Sequence, residues 1–249
     1  MKLTATQLQT FRQTGHVTVE GIFTAEEIAA AISDMEAWSR EFLSSLDETQ
    51  HGWFLERRAG PEVVLRKLDN PVFHRPVFRT MACDERLTGI VEQLIGPGVG
   101  VFFSQIFCKP PEVGGPKPVH QDNFYFGPDD EDATLTVWIA LDDATLENGC
   151  LFYADGSNLG PVLPHVAPEN EPFNLQVTGD ELQNAMMTAA PVSAGGVLFH
   201  HGNTLHQSAA NRSSKSRRAA AFHYLRNGAR LMKPSLTYDA AVAVRITDA

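Results

Sequence analysis

From residue 99 onward the chain breaks into short runs rich in β-branched and aromatic residues: VGVFFSQIFCK, ATLTVWIALDD, GCLFYA, NLQV, GGVLFHHG and RRAAAFHYLR, each bounded by clusters of Gly, Pro, Asn or Asp. Many short strands at this spacing predict an antiparallel sandwich or barrel. The stretch before residue 99 reads differently. Thr4 precedes ATQLQTFRQT with Gly15 as a stop, HVTVEGIF follows as a short strand, and Thr24 with Glu27 forms a capping box ahead of EIAAAISDMEAWSREFL. DERLTGIVEQLIGPG sets Leu87, Ile90, Val91 and Leu94 at helical spacing and ends in Gly96, Pro97 and Gly98. These helices are expected to pack on the outside of the β core. The PPEVGGPKP stretch at 110–118 reads as a loop, because the β pattern resumes on its far side. With 249 residues, 43% of them hydrophobic, the expectation is one domain over 1–249, helical to about residue 98 and β from about 99 to 230.

Net charge is −10, and no block of Lys or Arg stands out, which argues against a nucleic-acid or anionic-membrane surface and for a small-molecule partner. No obligate protein partner is evident. Cys83, Cys108 and Cys150 are odd in number and widely spaced, so they suggest reduced thiols, neither a disulfide framework nor a structural zinc site. The opening MKLTATQLQTFRQTG is too polar for a signal peptide, and no apolar run approaches the roughly eighteen residues of a membrane span, so a cytoplasmic protein is expected.

The chemistry concentrates in two segments. VHQDNFYF places His120 and Asp122 two apart in a strand or at its end, on one face. Alone, that pair reads more readily as a solvated strand face than as a metal site. GGVLFHHGNTLHQSAANRSSKSRR adds His206 after a hydrophobic strand and a turn, and a jelly roll sets strands distant in sequence side by side. Two imidazoles and a carboxylate match the three-ligand face of non-haem Fe(II) oxygenases; zinc is not excluded by ligand identity. Arg217, eleven residues after His206, is suited to a carboxylate held through two parallel hydrogen bonds, with the Ser208 hydroxyl nearby, although Arg217 and Arg218 alone also read as a solvated basic pair.

HQD, then TVWIALDDATLENGCL, then H-x-S-x-x-N-x-S with Arg217 beyond it, resembles the phytanoyl-CoA dioxygenase family of Fe(II)/2-oxoglutarate oxygenases over about residues 8 to 228. The resemblance implies a mainly β, double-stranded β-helix (jelly roll, cupin-like) core with flanking N-terminal α-helices. It implies His120, Asp122 and His206 on Fe(II), and Arg217 and Ser208 on the 2-oxoglutarate carboxylate. It also places Gln121, Trp138, Gln105 and Lys67 near the cosubstrate, with core packing as the other reading of Trp138. The reaction implied consumes O2 and 2-oxoglutarate and hydroxylates a C–H bond; Asp122 stands where a halogenase would leave room for chloride. The Glu147–Cys150 segment is expected to be a structural turn.

Among the other histidines, only His206 satisfies the H-x-S-x-x-N-x-S spacing, which sets it above His200 and His201. His16, His51, His74 and His165 read as surface or capping residues, and His223 either as a pocket residue or as a hydrogen-bonded core residue. Phe102, Phe103, Phe124, Tyr125 and Phe126 suit an apolar pocket or the core. A coenzyme A ester would need Arg66, Arg212, Lys215, Arg226 and Arg230 to converge. Two further readings use the same residues: a zinc-dependent hydrolase or lyase, and a non-catalytic protein that keeps the metal and 2-oxoglutarate site.

Overall fold

Two threonines start the first two helices. In the computed structural model, which describes residues 1–56, 63–169, 174–178 and 186–248, Thr4 accepts from the backbone of Gln7 and Thr24 from that of Glu27, and both longer side chains return the bond. Helix α1 (Ala5–Thr14) ends at Gly15, whose φ of 82° is easy only for glycine. Strand β1 (His16–Val19) then leads into α2 (Ala25–Ser45). Short helices α3 (His51–Phe54), α4 (Pro71–His74) and α5 (Pro76–Cys83) lie around strand β2 (Lys67–Asp69). Helix α6 (Glu85–Ile95), capped by Asp84, buries Leu87, Ile90, Val91 and Ile95 and leaves Leu94 partly buried. No helix among the described residues is long and apolar enough to cross a membrane.

The β-rich half supplies β3 (Val99–Lys109), β4 (Lys117–His120), helix α7 (Asp122–Phe126), β5 (Thr134–Ala140), β6 (Leu151–Ala154), β7 (His165–Val166), β8 (Gln176–Val177), β9 (Met187–Ala190), β10 (Val197–His201), β11 (His206–Ser208), β12 (Arg217–Arg226) and β13 (Val244–Arg245). They form a larger antiparallel sheet, β1-β10-β5-β12-β3-β13 with β2 also on β3, a smaller sheet, β4-β11-β6-β9, and a β7-β8 pair. This is a double-stranded β-helix with helices on one flank. Strand alternation explains how the larger sheet is buried on both faces. In β5, Leu135, Val137 and Ile139 join Phe222, Tyr224 and Ile106 in the core shared with α2, α5 and α6, each such side chain contributing about 1.5–3 kcal/mol. The intervening Thr136 and Trp138 face a cavity that the smaller sheet walls from its other side through Leu151, Phe152 and His206.

The boundaries drawn near 98 and 230 are not seams. β1 and β2 complete the larger sheet from the N-terminal side, and β13 adds to β3 from beyond residue 230. The turn before β6 has the structural character its sequence suggested: the Asn148 side chain accepts from Thr145 N–H at 2.7 Å and donates to the Asp143 carbonyl at 2.7 Å. Gly149 follows with φ 89°, and a Cβ there would stand 2.4 Å from the Ala209 carbonyl oxygen. Gly149→Ala is therefore expected to cost about 2 kcal/mol or more, lowering the thermal midpoint by roughly 4–8 °C in a calorimetric scan; an unchanged midpoint would show that the loop before β12 yields freely.

Candidate metal centre and cosubstrate pocket

β4 and β11 are hydrogen-bonded neighbours with His120 paired directly to His206, so the register itself brings the first and third predicted ligands together. β4 ends at His120, and Asp122 opens α7 instead of continuing the strand. The Nδ1–H of His120 donates to the Pro118 carbonyl at 2.7 Å and that of His206 to the Thr204 carbonyl at 2.9 Å, which turns both Nε2 lone pairs the same way. Asp122 Oδ1 lies 3.8 Å from each Nε2. Burial, then each other and Lys117, hold His120 well below the ordinary histidine range, and burial pulls His206 down to about 4, so both rings are neutral. For Asp122, burial works against ionisation, but His206, the hydrogen bond from His200 and His223 outweigh it and keep the carboxyl well below its usual range. Two neutral imidazoles and one carboxylate, all buried and converging, fit a divalent ion.

Beyond the three donors, a cavity of about 810 Å³ extends between the sheets, a volume suited to small molecules. Arg217, at the start of β12 and 2% exposed, reaches it with its guanidinium 5.4 Å from the Trp138 ring. Its Nε is buried without a hydrogen-bond partner. Burial lowers its pKa to about 10, which leaves it charged at neutral pH. Ser208, on β11 beside His206, lines the same cavity, and Trp138 both lines it and packs with Ala140, Ala219 and Ala221.

The remaining predicted residues are placed less simply. Gln105 lines the cavity while its amide donates to Asp69 Oδ1 at 2.9 Å. Lys67 does not form the wall: its ammonium bonds both Asp69 oxygens at 2.7 and 2.8 Å and sits 4.3 Å from the Trp53 ring, which does. Gln121 faces away from the cavity. Its amide donates to the Pro161 and Asn203 carbonyls and its oxygen accepts from Leu163 N–H, so it ties two loops behind the metal centre together.

Several residues escaped the sequence reading. His165, expected at the surface, is buried, stacks on Phe124 and accepts from the Gln121 backbone at 2.8 Å. His16 stacks on Tyr153 at 4.2 Å. His201 ends β10, bonded to Asp132 and accepting from the Asn203 backbone. His223 satisfies both of its readings, lining the cavity while its Nδ1 meets Thr136 at 2.9 Å. His200 contacts Asp122 itself; period-two alternation in VLFHH, which puts it on the face opposite Phe199, was the one signal for it. Leu236 and Tyr238, outside every predicted element, close one end of the cavity beside Phe103 and Phe126. Of the five cations a coenzyme A ester would need, Arg66 alone lines the cavity; Arg226 pairs with Asp130 and Arg230 with Asp129.

Comparison with known proteins agrees with this geometry. The family model for phytanoyl-CoA dioxygenase (PhyH) matches residues 11–219. Phytanoyl-CoA dioxygenase domain-containing protein 1 of Rattus norvegicus is 28% identical, with 93% of each chain aligned. Among solved structures, the non-heme alpha ketoglutarate dependent carbocyclase SnoK from nogalamycin biosynthesis superposes with a TM-score of 0.76 at 25% identity, covering 98% of this chain and 97% of that one. EctD from S. alaskensis, solved with 2-oxoglutarate and 5-hydroxyectoine, shares the fold at a TM-score of 0.74 and 22% identity, covering 99% of this chain and 86% of that one. Because the family match runs from the end of α1 through both candidate metal-ligand segments to the start of β12, the chain belongs to the phytanoyl-CoA dioxygenase family of Fe(II)/2-oxoglutarate-dependent oxygenases.

Proposed function

We propose that the protein hydroxylates a C–H bond of a small organic substrate, consuming O2 and 2-oxoglutarate and releasing succinate and CO2. His120, Asp122 and His206 would hold Fe(II), which with 2-oxoglutarate supplies the O2 chemistry. The observation that carries the reading is Arg217: a buried cation with an unpartnered Nε, in the cavity that also holds the three converging donors. Zinc-dependent hydrolysis does not require such a cation, whereas a dicarboxylate cosubstrate does.

In this reading Arg217 grips the distal carboxylate through parallel N–H···O bonds, Ser208 donates its hydroxyl to the same group, and Trp138 fixes the guanidinium plane from behind. Gln105 borders the cosubstrate, Lys67 acts one layer out by holding Asp69, which accepts from the Gln105 amide, and Gln121 locks the loops that carry the ligands. Phe103, Phe126 and Tyr238 keep water from the reacting carbon. Asp122 fills the third ligand position, so added chloride leaves the product hydroxylated; a mainly chlorinated product would overturn that assignment. A compact substrate fits better than a coenzyme A ester, because of the five cations its phosphates would need only Arg66 lines the cavity, and Arg226 and Arg230 pair with Asp130 and Asp129.

Anaerobic titration of the purified protein with Fe(II) and then 2-oxoglutarate tests the reading. A visible metal-to-ligand charge-transfer band is expected only when both are present. No band at saturating iron, or hydrolytic turnover with zinc that ignores 2-oxoglutarate, would reject it.

A further inference from the structure

Asp122 has two carboxylate oxygens, and the structure treats them differently. Oδ1 faces the Nε2 atoms of His120 and His206. Oδ2 receives the Thr136 hydroxyl at 2.5 Å and His200 Nε2 at 3.1 Å. A carboxylate oxygen facing a ring nitrogen accepts, so His200 carries its proton on Nε2 and donates. Its Nδ1 is in turn 3.0 Å from the Tyr153 hydroxyl, and Tyr153 is itself fully buried and stacked on His16. His200 is 1% exposed, on the interior face of β10 next to the Thr136 position of β5.

We infer that His200 is a positioning residue for the metal ligand Asp122: with Tyr153 fixing its ring and Thr136 donating alongside, it engages Oδ2 and leaves Oδ1 alone for the ion. The inference rests on the metal site proposed above. A carboxylate held this way would offer a bound ion one oxygen and not two, leaving room at the ion for the cosubstrate. His200 is not a ligand in this arrangement, although its ring is only 4.5 Å from that of His206, because its Nε2 is already directed at Oδ2.

Substitutions separate hydrogen bonding from packing. Gln places an amide N–H near the imidazole Nε2 position, Asn reaches only the Nδ1 position, and Phe fills the space without donating. Co(II) affinity by calorimetric titration of the metal-free protein is expected to fall about 10–100-fold in His200→Phe and in His200→Asn, and to stay within about threefold of wild type in His200→Gln. Tyr153→Phe, one bond further out, is expected to lose less than about tenfold. The Co(II) visible spectrum should shift in the Phe and Asn variants and not in Gln. If His200→Phe misfolds, the Gln and Asn pair decides alone. Wild type that takes no Co(II) would remove the metal site and this inference together; wild-type binding with equal affinity in the Phe or Asn variant would remove this inference only.

Discussion

Arg217→Ala is expected to weaken 2-oxoglutarate binding by on the order of 10²–10³-fold while leaving Co(II) affinity within a few-fold of wild type. A buried charge pair made through two charge-assisted hydrogen bonds costs about 3–5 kcal/mol to break. The other cations on the cavity wall are engaged elsewhere: Lys109 with the Gly115 and Ala209 carbonyls, Arg66 with Glu56 and Lys117 with the Tyr125 hydroxyl. Arg217→Lys keeps the charge and loses the paired geometry, so it should fall between, about tenfold or more below wild type. The free protein should respond in the opposite direction. A guanidinium 2% exposed with an unpartnered Nε is costly to fold around, and Arg217→Met, similar in length and apolar, should stabilise the metal-free chain by about 1–2 kcal/mol, raising its midpoint by a few degrees. Calorimetry on the variants with and without 2-oxoglutarate measures both effects. Unchanged 2-oxoglutarate affinity in the Ala variant would reassign the cavity to another ligand.

The parts of this site legible in the sequence were those with local signatures. β3 and β12 run to the residues their apolar runs predicted because Gly and Asn bound them, and the HxD pair projected correctly even though Asp122 sits on a helical turn. The register of His206 on His120 was expected only through the jelly-roll topology, since nothing near either residue encodes it. Gln121 and Lys67 show the limit: a motif places a residue near a cosubstrate but does not say which way its side chain turns, and here a loop carbonyl and an aspartate claim them. His165 and Tyr238 act through partners 44 and 113 residues away, contacts that leave no pattern in any window of the chain, and for His200 the strand alternation gives its face but not its partner Asp122, 78 residues away.

Asp122 is the substitution with the largest expected effect. Asp122→Ala removes a metal ligand and the one anion among His120, His200, His206 and His223, and turnover is expected to drop more than about 10³-fold with Co(II) affinity down by at least 10²-fold. Unlike Arg217→Met, it should also destabilise the metal-free fold. The Thr136 hydroxyl and His200 Nε2–H both donate to Oδ2, and leaving two buried donors unmet costs about 1–3 kcal/mol each. Asp122→Asn separates the two losses: its carbonyl oxygen still accepts both bonds, so the fold should recover most of that stability while the metal affinity stays low for want of charge. Unfolding midpoints and Co(II) titrations of the two variants distinguish these outcomes. If Asn restored metal binding along with stability, Asp122 would be acting only to hold the two strands' hydroxyl and imidazole, and the metal would have to be held by histidines alone.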